Sequence, residues 1–179
     1  MQLGFYVDMD RCVGCHSCAV ACKAYNHLPP QTLGATGPHW RRIVSIESGV
    51  FPAPSLTSMS LSCAHCGQPA CLGVCPTKAI SKRPEDGVVL VDATKCIGCR
   101  ACLAACPFGV PQFGDDGKMQ KCNFCLDRLA QGQEPVCVGT CPAGALRAGS
   151  LEELSKLVAT KRVRQIAVTT QPSMLVVGK

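Results

Sequence analysis

The chain has 179 residues, enough for one ordinary domain or two small ones. Sixteen are cysteine, only 4% are aromatic, and the formal charge is +6. So high a cysteine content marks a stapled scaffold, and the scarcity of rings argues against a base-stacking nucleic-acid surface. No apolar run reaches the roughly 18 residues that a membrane-crossing helix needs, and Met1 to Asp8 carries neither the basic nor the apolar region of an export leader.

In chain order, Phe5-Tyr6-Val7-Asp8 predicts a short strand leading into a first cysteine loop. His16 to Tyr25 predicts a short helix carrying Cys18 and Cys22, ended by Pro29-Pro30. Gln31 to Ser60 holds no cysteine. Within it Trp40 to Ile46 alternates like a strand, and Leu56 to Leu61 reads as its returning partner, with Gly49 and Pro52 in the turn. Ala79-Ile80-Ser81 and Val88 to Asp92 flank Pro84-Glu85-Asp86-Gly87, and Asp-Gly between apolar runs is a hairpin signal. Phe108 to Phe113 runs into a second such turn, Gly114 to Gly117. Asn123 to Ala130 reads as helical. Ser150-Leu151-Glu152-Glu153 is a capping box opening a helix to about Ala159, and an extended tail with one more strand follows.

The cysteines fall into four groups. Cys96, Cys99, Cys102 and Cys106, followed by Pro107, form C-x2-C-x2-C-x3-C-P, the bacterial iron–sulfur run. A cubane needs thiolates from several directions, and a short loop turned at Gly98 supplies three. One helical turn beyond Cys102 lies Cys106, and in two-cluster ferredoxins a cysteine so placed ligates the other cluster. Cys12, Cys15, Cys18 and Cys22 repeat the spacing, with Lys23 in place of proline. Cys63, Cys66, Cys71 and Cys75 precede Pro76, and Cys122, Cys125, Cys137 and Cys141 precede Pro142. All sixteen cysteines are then used, which at four thiolates per cubane makes four [4Fe–4S] clusters.

A disulfide framework fits poorly without a secretory leader. Zinc knuckles bring two close ligands from each of two loops, whereas here three cysteines crowd into seven residues. Bound metal also revises the charge. Each oxidised cubane with four thiolates carries about −2, so four clusters take the formal +6 to about −2, and a nucleic-acid reading of the basic composition falls away.

Cluster loop, short helix, hairpin and cluster loop give an α+β fold of ferredoxin-like, two-cluster units. Two pairings of the groups are open: neighbour with neighbour, or an inner unit of the Cys63 and Cys96 groups nested within an outer unit of the Cys12 and Cys122 groups. The hairpin between Cys75 and Cys96 favours nesting, with residues 61–114 as the inner unit and 1–60 plus 115–179 as the split outer one. Ala145 to Gly149 would then pair with Gly4 to Asp8.

Asp8 to Cys22, Ser62 to Pro76, Asp86 to Pro107 and Lys121 to Pro142 carry a resemblance that spans Phe5 to about Leu157. The chain resembles the four-cluster electron-transfer subunits of molybdenum and tungsten pterin oxidoreductases, such as the B subunits of dimethyl sulfoxide and polysulfide reductases. It is also similar to the small subunit of tungsten aldehyde oxidoreductases. The resemblance implies crossed ligation: Cys12, Cys15, Cys18 and Cys141 on one cubane, and Cys22, Cys122, Cys125 and Cys137 on a second. Cys63, Cys66, Cys71 and Cys106 would hold a third, and Cys75, Cys96, Cys99 and Cys102 a fourth. It further implies a molybdenum- or tungsten-pterin catalytic subunit on one side, and a flavin subunit, a ferredoxin or a membrane quinone subunit on the other. A cytoplasmic complex is expected, or a periplasmic one exported with a leader-bearing partner. The other reading is a diffusible polyferredoxin.

Electron transfer asks no general base or nucleophile of this chain. His65 is expected to be a solvated loop histidine, with sulfur bonding as the alternative. Arg11, Lys23, Lys95, Arg100 and Lys121 flank the groups, either raising nearby potentials or standing as solvated charges. Trp40 with Arg41 and Arg42 is read either as a docking anchor or as simple packing of the indole.

Overall fold

The computed structural model describes residues 1–30, 37–158, 161–164 and 169–178. Strand β1 (Leu3–Asp8) is an apolar, aromatic-rich run that is buried from Gly4 onward. It lies inside a four-stranded sheet. On one side it pairs antiparallel with the strand Leu146–Ser150, in the register Gly4↔Gly149 and Val7↔Leu146. That is the expected pairing. On the other side it runs parallel to Met174–Val177, with Phe5 opposite Met174, and the short strand Val163–Arg164 closes the sheet.

Three hairpins carry the rest of the β structure. The longest joins β2 (Arg41–Ser48) to β3 (Ser55–Ser62), with its tip at the exposed Val50 and Phe51. The Asp-Gly hairpin joins β4 (Ile80–Lys82) to β5 (Val89–Val91), and a small one joins β6 (Gln112–Phe113) to β7 (Met119–Gln120). In chain order the other strands of the sheet of β1 are thus β8 (Leu146–Ser150), β9 (Val163–Arg164) and β10 (Met174–Val177).

The helices are short and serve to place cysteines. They are α1 (Ser17–Tyr25), α2 (Ala70–Gly73), α3 (Ala101–Ala105), α4 (Leu126–Leu129) and α5 (Val136–Gly139). Helix α1 packs on α5, and α2 packs on α3. Helix α6 (Leu151–Val158) closes over the sheet, setting Leu154 against Tyr6 and Val177. Its capping box is formed: the Glu153 N–H donates to Ser150 Oγ at 3.2 Å, and the Ser150 N–H donates to Glu153 Oε2 at 3.1 Å. The expected end at Ala159 lies outside the described residues, as do Gln31 to Thr36 and residues 165–168 of the tail.

The helix expected over Asn123 to Ala130 is shorter. Phe124 and Cys125 take positive φ angles of 64° and 50°, so the helix starts only at Leu126. Two consecutive left-handed residues turn the C-x2-C loop, and an α-helix cannot run through them.

A stack of four side chains runs through the main core. The Arg41 guanidinium lies 4.5 Å from the Phe5 ring, Phe5 stacks on Phe124 at 4.4 Å, and His65 meets Phe124 edge-on at 5.3 Å. Cys18, Cys122 and Cys137 belong to the same cluster, and Cys63, Cys66 and Cys141 pack against it.

Candidate iron–sulfur centres

Two cysteine loops share one local conformation. Gly14 and Gly98 sit at φ 67° and 70°, and each is followed two residues later by a left-handed helix cap, His16 at φ 62° and Arg100 at φ 63°. The chain turns tightly after the second cysteine and enters a helix that bears the third. In α1 the last two cysteines of the group, Cys18 and Cys22, are one helical turn apart and both buried.

Three cavities open among these loops. One is lined by Cys63, Cys66, Cys71 and Cys106. Another is lined by Cys12, Cys15, Cys18 and Cys141. A third is lined by Cys75, Cys96, Cys99 and Cys102. The remaining four thiols interact electrostatically, Cys22 with Cys137 and Cys125, and Cys122 with Cys63 of a neighbouring group and then with Cys137 and Cys22. Each quartet joins three cysteines of one group to one of another. In three of the quartets the sulfurs line a common space, as the ligands of a cubane must.

Sulfur acceptors are met by backbone amides in a repeated way. The last cysteine of two groups is bonded by the amide four residues on, Ala79 N–H to Cys75 Sγ and Ala145 N–H to Cys141 Sγ, both at 3.3 Å. The Met119 and Phe124 amides donate to Cys96 and Cys122 at 3.3 and 3.4 Å. Ser60 and Ser17 place hydroxyls 3.3 and 3.4 Å from Cys18 and Cys15. Such donors stabilise thiolate ligands and set the potential of what they hold.

Protonation gives the complementary view. Burial pushes the Cys22 thiol up to about 12, with Cys137 adding to the shift, and pushes Cys71 up to about 12, with Cys63 adding. Burial likewise raises Cys122, against the pull of Arg41. At Cys75 burial is the largest single influence, but the Thr77 hydroxyl and the Ala79 and Ile80 amides together outweigh it, so that thiol is lowered. Crowded buried thiols do not ionise unaided; iron supplies the compensating charge, and loading releases their protons. The Thr170 hydroxyl agrees with this. It is buried, lines the Cys63–Cys106 cavity and lies against Cys66, whose thiol it draws down against the cost of burial. A sulfur-bearing group in that cavity fits it.

The charged and aromatic candidates divide. His65 is not solvated: it is 0% exposed, and its Nδ1 accepts the Val89 N–H. Lys121 is buried rather than a surface charge, donating to the carbonyls of Val89 and Cys122. Trp40 is half-buried and donates to Gln120 Oε1 at 3.0 Å, while Arg42 donates to the Phe108 and Gly109 carbonyls. Together with the buried Arg41, these contacts tie the segment into the fold. The role of Arg41 was hidden in the sequence, because strand alternation does not tell which face of an isolated hairpin meets the core.

The chain matches the family model described as a 4Fe-4S dicluster domain over residues 55–151, and a 4Fe-4S binding domain over residues 3–24. It is 44% identical over 164 residues to the B subunit of the anaerobic dimethyl sulfoxide reductase of Escherichia coli (strain K12), covering 87% of this protein and 77% of that subunit. It is 38% identical over 180 residues to the formate dehydrogenase iron-sulfur subunit of Wolinella succinogenes, covering 88% and 86%. It is 44% identical over 152 residues to the thiosulfate reductase electron transfer subunit PhsB of Salmonella typhi, covering 82% and 74%. Sixteen cysteines in these domains account for four [4Fe–4S] clusters, and the chain belongs to the iron–sulfur electron-transfer subunits of molybdopterin oxidoreductase complexes.

Proposed function

We propose that the four clusters are held by crossed quartets and form a wire through a nested pair of ferredoxin-like units, residues 61–114 within 1–60 and 115–179. The carrying observation is the lining of the three cavities, in which three thiols come from one cysteine group and the fourth from another. The packing of α1 on α5 and of α2 on α3 supports the nesting. When bound, the clusters supply one-electron carriers; the chain holds their spacing, excludes water from them and tunes their potentials.

At one end of the wire stands a molybdenum- or tungsten-pterin catalytic subunit. At the other stands a flavin subunit, a ferredoxin or a quinone-linked membrane subunit; among the described residues no helix is long and apolar enough to cross a membrane. The similarity to the dimethyl sulfoxide reductase B subunit favours a reductase of small oxidised substrates as the catalytic partner. Loading four clusters needs all sixteen cysteines reduced, which fits assembly in the cytoplasm, with any export following assembly.

Cys75→Ser tests the ligation. It is expected to perturb the cluster of Cys96, Cys99 and Cys102; damage confined to the cluster of Cys63, Cys66 and Cys71 would refute crossing. The loaded chain is expected to hold about sixteen iron and about sixteen sulfide. Purification from the native source identifies the partners, and isolation as a lone carrier would favour a diffusible polyferredoxin.

A further inference from the structure

Arg41 is 1% exposed, and among the described residues no carboxylate pairs with it. Its Nη1 donates to Ser60 Oγ at 2.9 Å and its Nη2 to Ser62 Oγ at 2.8 Å, while its face rests on Phe5. A guanidinium keeps its charge at any physiological pH, and a buried charge needs a compensating one. Serine hydroxyls and a ring do not provide it. The groups that face Arg41 electrostatically are the thiols of Cys137, Cys122, Cys18 and Cys22. Three of these belong to one proposed quartet and Cys18 to another.

We propose that Arg41 is an internal counter-cation shared by two neighbouring clusters, those of Cys22, Cys122, Cys125 and Cys137 and of Cys12, Cys15, Cys18 and Cys141, and that it raises the potentials of both. The proposal rests on the crossed ligation above. Each oxidised cubane with its thiolates is anionic, and the electron it accepts adds a further negative charge, so a fixed cation beside it favours the reduced form. Only an electron moves: one electron from the reductant converts [4Fe–4S]²⁺ to [4Fe–4S]¹⁺, and no bond forms or breaks.

Ser60 extends the effect to one side. Its oxygen accepts from Arg41, which leaves its own O–H free to donate to Cys18 Sγ, 3.3 Å away. The cation therefore reaches Cys18 through a polarised hydroxyl as well as through space.

The test is a dithionite titration of the loaded chain followed by electron paramagnetic resonance, with signals assigned through Cys18→Ser and Cys22→Ser. In Arg41→Gln the reduced-to-oxidised ratio of the two named clusters, at a fixed applied potential, is expected to fall about tenfold, equivalent to about 59 mV for one electron. The Cys75–Cys102 cluster is expected not to move, and Arg41→Lys to restore most of the loss. Unchanged potentials, or an equal fall in all four, would overturn the proposal. Iron and sulfide content, with the Cys75→Ser result, judges the ligation separately; the potentials of fully loaded variants judge Arg41. If Arg41→Gln does not load, Ser60→Ala carries the test. It is expected to lower the Cys12–Cys141 cluster alone, and no shift there would overturn the relay.

Discussion

His65 Nδ1 accepts the backbone N–H of Val89 at 3.0 Å, tying the second cysteine loop to strand β5. The imidazole is held neutral, because burial and then the nearby charges of Lys121 and Arg41 push its pKa well down. Replacement by leucine therefore removes no charge but leaves a buried amide donor unsatisfied, at a cost of about 1–3 kcal/mol. For a chain of this size the thermal midpoint of His65→Leu is expected to fall by several degrees. His65→Asn, which keeps a side-chain acceptor, is expected to lose less. Equal losses in the two variants would assign the effect to packing on Phe124.

Asp8 organises the entry to the first cysteine loop. Its Oδ1 accepts the Asp10 and Arg11 amides at 3.1 and 3.3 Å, and its Oδ2 accepts the Tyr6 hydroxyl at 3.1 Å and the Lys161 ammonium. Burial alone would raise this carboxyl, but Lys161, Tyr6 and the Arg11 amide outweigh it and hold the pKa below the usual value. A depressed folded-state pKa stabilises the fold fully above the unfolded value, about 3.9, and the contribution is lost as pH falls through the folded value. Asp8→Asn is expected to lower the thermal midpoint at neutral pH. The gap to the parent protein should stay constant down to about pH 5 and close below about 3.9. A gap that persists in acid would show that the carboxylate's charge is not its source.

The sequence reveals those parts of this molecule whose causes are local. Cysteine spacing gives every thiol; the capping box gives α6; Asp86-Gly87 gives the β4–β5 hairpin. The pairing of β1 with β8 was also readable, since it is the one a nested grouping of the cysteine runs calls for. What stayed hidden depends on distant packing. His65 and Lys121 look like loop polars until β5 is laid over them. Phe124 and Cys125 are not residue types that announce a left-handed backbone. The parallel partner of β1 is a second such case, since Met174 to Val177 reads as a strand without saying which edge it joins.

Gly98 offers a sharp test of loop geometry. It sits at φ 70°, and a Cβ there would lie 2.5 Å from the Gly117 carbonyl oxygen, so both backbone strain and a clash oppose any side chain. Gly98→Ala is expected to lose the Cys75–Cys102 cluster, about four iron per chain, while the other three signals persist. Gly73→Ala in α2 is the control, because a Cβ there meets nothing within 4 Å. Full iron content in Gly98→Ala would show that the loop accommodates the shift.

Arg100 contrasts with Arg41, because it is exposed. It caps α3, lines the cavity of Cys75, Cys96, Cys99 and Cys102, and is steadied by the Phe113 ring 5.2 Å away. Reduction of that cluster adds one negative charge, which the guanidinium favours. At an effective dielectric of about 20 and a separation of about 7 Å, Coulomb's law gives roughly 2 kcal/mol, under about 100 mV for one electron. Solvent screening of an exposed side chain cuts this further. Arg100→Gln is therefore expected to lower that one potential by about a few tens of millivolts. Phe113→Ala, which frees the guanidinium to move into water, should shift the same potential in the same direction by less. The other three clusters should hold their values in both variants, read by redox titration with electron paramagnetic resonance. No shift in either variant would make Arg100 a solvated charge, and leave the buried Arg41 and Lys121 as the cations that matter to the wire.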